Sequence, residues 1–258
     1  MTDMDSATSP ILEAFETFRV ELDDYNDRRE RLIKASRDAT NLSKKVIFLL
    51  HRVVGEASAH EPAVGKRAAQ RGREKLREVQ NLFAKMSTEL KGDRYWRYRW
   101  QVSPGIQEYT EALSFAHYLE HGTLITLKQV EESLSDTSGI PYFPMSASDY
   151  LLGVSDLMGE LMRYAISSMS KRGGRQKAAE IGAFVRNCKA DFEMFTPNVR
   201  DLRKKQFVTG QSLEKIEDAN YAVVVRCSEF DLPPEMLDDI VSQTVSTVHG
   251  GGVDAASK

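Results

Sequence analysis

The chain predicts an all-α fold, a seven-helix bundle forming a single domain with a very long first helix. Three observations point there. Apolar residues recur at helical spacing over almost the whole length. The interrupting Gly, Pro, Ser and Thr residues stand where helices start or stop. Only Tyr221-Ala-Val-Val-Val225 has a strand-like composition, and it lies between helical patterns without a hairpin turn beside it. No repeat and no domain-splitting linker is visible, so 9–243 reads as one domain, with a disordered lead over 1–8 and a flexible tail over 244–258.

The first helix opens at Pro10 after Ser9, a favoured cap and first-turn pair. Its apolar stripe runs from Ile11 through Phe18, Leu32, Val46 and Leu50 to Val54, and Gly55 stops it. That is roughly 65–70 Å of helix at 1.5 Å per residue, a length that suits a bundle or an oligomer. A second helix is expected from about Pro62 to Lys91, with Leu76, Val79, Phe83 and Met86 on its apolar side and Gly92 after it. The third runs from about Asp93 to Leu119, and Pro104 should bend or restart it.

Thr126-Leu-Lys-Gln129 is a capping-box pattern opening a short fourth helix. Ser146 caps a fifth, which carries Leu151, Val154, Leu157, Leu161 and Ala165 and ends before Gly173-Gly174. The sixth holds Ile181, Val185, Cys188 and Phe192 and stops before Pro197. A seventh follows from about Asn198 to Ser228, then Pro233-Pro234 and a brief amphipathic piece at Met236–Val241.

Composition narrows the function classes. With 41% hydrophobic and 28% charged residues the chain can bury a core in water. A net charge of −3 means that any polyanion contact must come from local clustering. Two cysteines without metal-ligand spacing suit a reducing compartment. No stretch resembles a signal peptide or a membrane span, so a cytoplasmic protein is expected, with nuclear entry left open.

The informative residues are carboxylates inside apolar helices. Glu108 and Glu111 are spaced i,i+3, and Asp156 and Glu160 i,i+4, so each pair projects from one side of its helix. Glu108 and Glu111 share a face with Phe115 and Leu119, while Ile106, Tyr109, Leu113 and Ala116 cover the other side. Buried carboxylates need a partner or a cation. Four of them facing one another could hold Mg²⁺ or Mn²⁺; equally, they could line an ordinary exposed edge, with Glu160 and Arg163 a simple i,i+3 ion pair. Gly153 and Gly159, each costing up to about 1 kcal/mol against Ala inside a helix, favour close approach of a neighbour.

Basic residues cluster along the first helix (Arg28, Arg29, Arg31, Lys34, Arg37, Lys44, Lys45, Arg52) and at the start of the second (Lys66 to Arg77). Both read more simply as solvated faces balanced by Glu21, Asp23, Asp24, Asp27 and Glu30. Tyr95-Trp-Arg-Tyr-Arg-Trp100 suits stacking on bases and pairing with phosphates, or core packing. His117 and His121 are spaced i,i+4, but without the Glu of a zinc motif they read as packing residues, as does His51. Phosphate loops and Ser or Cys nucleophile signatures are missing, leaving carboxylate–metal chemistry as the main enzymatic option.

Three segments together carry a family likeness. Ser43-Lys-Lys-Val-Ile-Phe-Leu-Leu-His-Arg52, Gly105-Ile-Gln-Glu-Tyr-Thr-Glu-Ala-Leu-Ser-Phe115 and Asp149-Tyr-Leu-Leu-Gly-Val-Ser-Asp-Leu-Met-Gly-Glu-Leu-Met-Arg163 resemble the translin family. So does Gln211-Ser-Leu-Glu-Lys-Ile-Glu-Asp-Ala-Asn-Tyr-Ala222, and the likeness spans about 11–230. The chain is more similar to the branch with the full acidic set than to translin itself, the related RNA-binding subunit.

That resemblance implies a subunit that joins translin in a hollow hetero-oligomer, an octamer, and cleaves single-stranded RNA in a Mg²⁺-dependent endoribonuclease reaction. Passenger strands of the silencing complex and tRNA-processing fragments are the substrates it implies. Glu108, Glu111 and Asp156 would be the catalytic carboxylates and metal ligands, with Glu160 beside them; Arg37, Lys44, Arg52 and Arg163 are candidates for holding phosphates. A non-catalytic subunit that binds single-stranded RNA or DNA, or a helical scaffold in the translin complex, is the alternative.

Overall fold

The computed structural model describes residues 10–56, 63–169, 171 and 174–229. It is helical as expected, with α1 (Pro10–Glu56), α2 (Val64–Ser87), α3 (Arg94–His121), α4 (Leu127–Ser133), α5 (Ala147–Met169), α6 (Gly174–Glu193) and α7 (Leu202–Glu229). A 3-10 turn, Thr88–Leu90, extends α2. Among the described residues the extended backbone amounts to one isolated bridge between Ser135 and Pro141. The strand-like Tyr221–Val225 lies within α7. The lead, the tail and the piece at 236–241 fall outside the described residues.

Local chemistry sets the ends of these helices. Thr126 and Gln129 form the capping box that opens α4. Ser146 accepts from the Asp149 N–H at 3.0 Å and donates to its carboxylate at 2.6 Å, fixing the start of α5. Gly122, at φ 70°, ends α3 with its N–H on the Tyr118 carbonyl. The seventh helix starts four residues later than the expected Asn198, because Asp201 takes a left-handed φ of 67°.

α3 runs as one helix through Pro104, so the helix does not restart there. The ring is exposed, and the next residue, Gly105, brings α1 close instead. Its N–H donates to Ser36 Oγ at 3.1 Å, and a Cβ there would lie 2.9 Å from the Ser36 carbonyl oxygen.

The helices pack in a row, α1 on α3, α3 on α5 and α5 on α7, with α2 backing α1 and α3, and α6 backing α5 and α7. Contacts between α1 and α3 advance together along both helices, through Tyr25–Tyr98, Ser36–Gly105 and His51–Phe115, so the two run parallel. The core centres on Leu50, Leu76, Phe83, Tyr109, Phe115, Leu157 and Met158. On α1 burial begins at Leu32; before it, Ile11, Leu12, Phe15, Phe18, Val20 and Leu22 are all exposed.

Candidate active site

Close packing of α3 on α5 is what brings the carboxylates together. A Cβ on Gly153 would sit 2.7 Å from both the Gln107 carbonyl oxygen and Thr110 Cβ. Only glycine admits that approach, one turn from Asp156 on α5 and beside Glu108 and Glu111 on α3. The companion expectation for Gly159 fails: nothing lies within 4 Å of a Cβ built there.

Glu111 and Glu160 are buried at 8% exposure, and Glu108 and Asp156 are half-buried. Basic side chains from other helices reach three of the four. Lys44 Nζ of α1 lies 3.8 Å from Glu108 Oε2. Lys205 of α7 donates to both oxygens of Asp156, at 2.6 Å to Oδ1. His51 Nε2 is 2.6 Å from Glu160 Oε2, and Arg163 is 3.1 Å from Glu160 Oε1. Each helix of the row therefore supplies a charged group.

The balance leaves too much negative charge. Burial, reinforced by Asp156, Glu108 and Glu160, pushes the Glu111 carboxyl up to about 9 despite the opposing pull of Lys205. Glu111 has no hydrogen bond or ion pair among the described residues. Burial also raises Glu108, with Lys44 opposing and Asp156 adding to the rise. Asp156 is raised by burial as well, with Lys205 opposing. A desolvated, under-neutralised group of carboxylates favours either protonation or a further cation.

Oxygen donors of this kind suit Mg²⁺ or Mn²⁺ in chemistry, and Glu111 is the carboxylate left wanting a partner. Among the described residues, however, no three acidic, imidazole or thiol groups are gathered into a ready-made ligand set. Asp156 is engaged by Lys205 and Glu160 by His51. A divalent cation held by these carboxylates would have to displace those contacts.

Other candidates from the sequence fall into place around this cluster. Arg163 pairs with Glu160, as its spacing allows. Arg37 lines a separate groove between α1 and α3, with Trp100. Arg52 lies with Lys45, Lys75 and Glu78 in the groove between α1 and α2, apart from the carboxylates. The rings of His117 and His121 lie 4.6 Å apart with their planes tilted by 46°, and His117 bonds to Thr123 at 3.0 Å, away from the carboxylates.

Two contributors went unrecognised in the sequence. His51 follows Lys44 by seven residues and so shares its side of α1, a signal that was available. Lys205 stands in Leu202-Arg-Lys-Lys-Gln206, and only the phase of the buried Leu202, Gln206 and Thr209 separates it from the outward Arg203 and Lys204.

Fold and site together define an all-α protein with a charged, carboxylate-centred cluster between parallel-packed helices. Residues 27–227 match the model of the translin family. Translin-associated protein X of Rattus norvegicus is 34% identical over 257 residues, covering 92% of this chain and 86% of the rat protein. The translin-associated protein X homolog of Schizosaccharomyces pombe is 30% identical, covering 83% of this chain and 88% of its own length. Among solved structures, an AfC3PO–duplex RNA complex superposes with a TM-score of 0.61 at 20% identity, covering 83% of this chain and 97% of that one. The chain belongs to the translin family.

Proposed function

We propose that this chain is the catalytic subunit of a translin-containing, Mg²⁺-dependent endoribonuclease acting on single-stranded RNA. The observation that carries the proposal is Glu111, a carboxylate raised first by its burial and then by Asp156, Glu108 and Glu160, with no ion pair of its own among the described residues. Glu108, Glu111 and Asp156 would hold the metal, with Glu160 oriented beside them by His51 and Arg163. A divalent cation bound there supplies Lewis acidity toward a phosphodiester and an activated water. Lys205 stands where such a cation would neutralise Asp156; displaced from it, Lys205 would be free to hold a phosphate oxygen, as would Lys44 from α1.

Two further observations support an assembly around this site. The rat relative's name states its association with translin. The first turns of α1 expose Phe15 at 67% and Phe18 at 58%, a row of apolar side chains that a partner subunit would cover. RNA, present as a duplex in the AfC3PO complex, becomes the proposed ligand of this chain in single-stranded form.

Co-expression with translin, followed by cleavage of a labelled single-stranded RNA, tests the proposal. Cleavage should need Mg²⁺, stop in EDTA, and disappear in Glu108→Ala, Glu111→Ala and Asp156→Ala while assembly persists; unaltered cleavage in these variants rejects the assignment. The ion pairs on Asp156 and Glu160 favour a second reading, a subunit that binds RNA or DNA without cleaving it. In that case RNA is retained but never shortened, whatever the metal.

A further inference from the structure

Outside the carboxylate cluster, a groove of about 530 Å³ opens between α1 and α3, lined among others by Arg29, Arg37, Asn41, Trp100 and Gln101. We propose that this groove is a subsite for one unpaired nucleotide, its base stacked on Trp100 and its phosphate held by Arg37. The inference rests on the nucleic-acid reading above and extends the substrate path beyond the carboxylates.

Four observations lead to it. Trp100 is 61% exposed although it sits on a helix that is otherwise largely buried. Arg99 lies over its ring at 4.6 Å, so the indole is held flat by a cation and still presents surface to solvent. Arg37 is exposed and has no ion pair among the described residues, unlike Arg28 and Arg31 earlier on α1, which bond to Glu89. Gln101 lines the same groove, and its buried side-chain oxygen has no hydrogen bond.

Register then ties the groove to the carboxylates. Arg37, Lys44 and His51 are spaced by seven, so they stay within about 40° of one line along α1. Trp100, Gln107 and Glu111 keep within about 40° of one line on α3 by the same count. Because α1 and α3 run parallel, the groove lies about 10 Å before the Lys44–Glu108 contact. A single strand laid along this seam would meet Arg37 and Trp100 first, then Lys44, then the carboxylates. Stacking tolerates any base, which suits a substrate read by its single-strandedness.

The test uses the full chain assembled with translin, in EDTA so that the strand survives. The probe is a single-stranded oligoribonucleotide of about eight nucleotides carrying 5-iodouridine. Irradiation should cross-link it to Trp100. Trp100→Ala and Arg37→Glu should each weaken binding about ten-fold, Trp100→Phe should recover most of that loss, and Arg37→Glu should lower the salt dependence by about one counterion. Affinities within about two-fold of the parent for both variants, or cross-links confined to other residues, would overturn the subsite while leaving RNA binding intact. Equal dependence of a duplex on Trp100 overturns the unpaired nucleotide. No binding of the probe by the parent complex overturns the nucleic-acid reading itself, and the subsite with it.

Discussion

Two acidic regions along α1 face the same kind of neighbour and end differently. Where Glu89 follows α2, Arg28 and Arg31 bond to it together, with Arg31 Nε at 2.9 Å, and the hydrogen bond from Arg31 holds the Glu89 carboxyl below its ordinary value. Farther along, Lys44, His51, Arg163 and Lys205 attend four carboxylates, yet Glu108, Glu111 and Asp156 are all raised. The first is a closed structural ion pair at a partly wet edge. In the second, burial outweighs the cations supplied, so the protein carries an electrostatic debt that a bound cation would settle. The difference separates charge that is neutralised within the fold from charge that burial leaves under-neutralised.

Conservative substitutions break the contrast most sharply. Glu111→Gln keeps the shape of the site and should abolish RNA cleavage by the translin complex, at least about a hundred-fold, whereas Glu89→Gln should leave cleavage rates unchanged. A cleavage assay on matched preparations reads both.

Lys205→Gln should come next. With the competing ammonium gone from Asp156, the apparent affinity for Mn²⁺ should rise about ten-fold, as titration calorimetry would register. An affinity equal to or below that of the parent would show that Lys205 does not compete with the metal.

The pH dependence of stability sharpens the same comparison. An acid whose folded value is raised binds its proton more tightly when folded, so the metal-free protein should lose stability as pH climbs from Glu111's ordinary 4.5 toward about 9. Thermal melts in EDTA should show Tm falling across that window, and Glu111→Gln should flatten the fall. For Glu89 the sign reverses: its lowered carboxyl contributes stability above its unfolded value, and that contribution goes as pH drops through the folded one. Glu89→Ala is the smallest effect, a Tm lower by about 3 °C at neutral pH, as about 1 kcal/mol would produce in a domain of this size.

Much of this contrast is legible in the sequence where the determinants are local. Helical spacing from Leu32 to Val54 delivers the core stripe of α1, and Thr126, Ser146 and Gly122 set helix ends as their chemistry requires. The i,i+3 and i,i+4 spacing of the carboxylates identifies the face each pair shares, and Gly153 marks the close approach of α3 and α5. What depends on distant partners is not legible. Nothing local says that Lys205, 49 positions from Asp156, will reach it, or that Gly159 faces open space while Gly153 does not. Pro104 lies on an exposed side of α3, next to a glycine that α1 uses, and the helix runs through it without a restart.

The most direct test of the carboxylate site is to titrate Mn²⁺ into the full chain assembled with translin and follow the free ion by its paramagnetic resonance, for the parent and for Glu111→Gln. Saturable binding in the parent that is lost in Glu111→Gln is the predicted result. Binding of equal strength in both, or none in either, would contradict a divalent-cation site at these carboxylates.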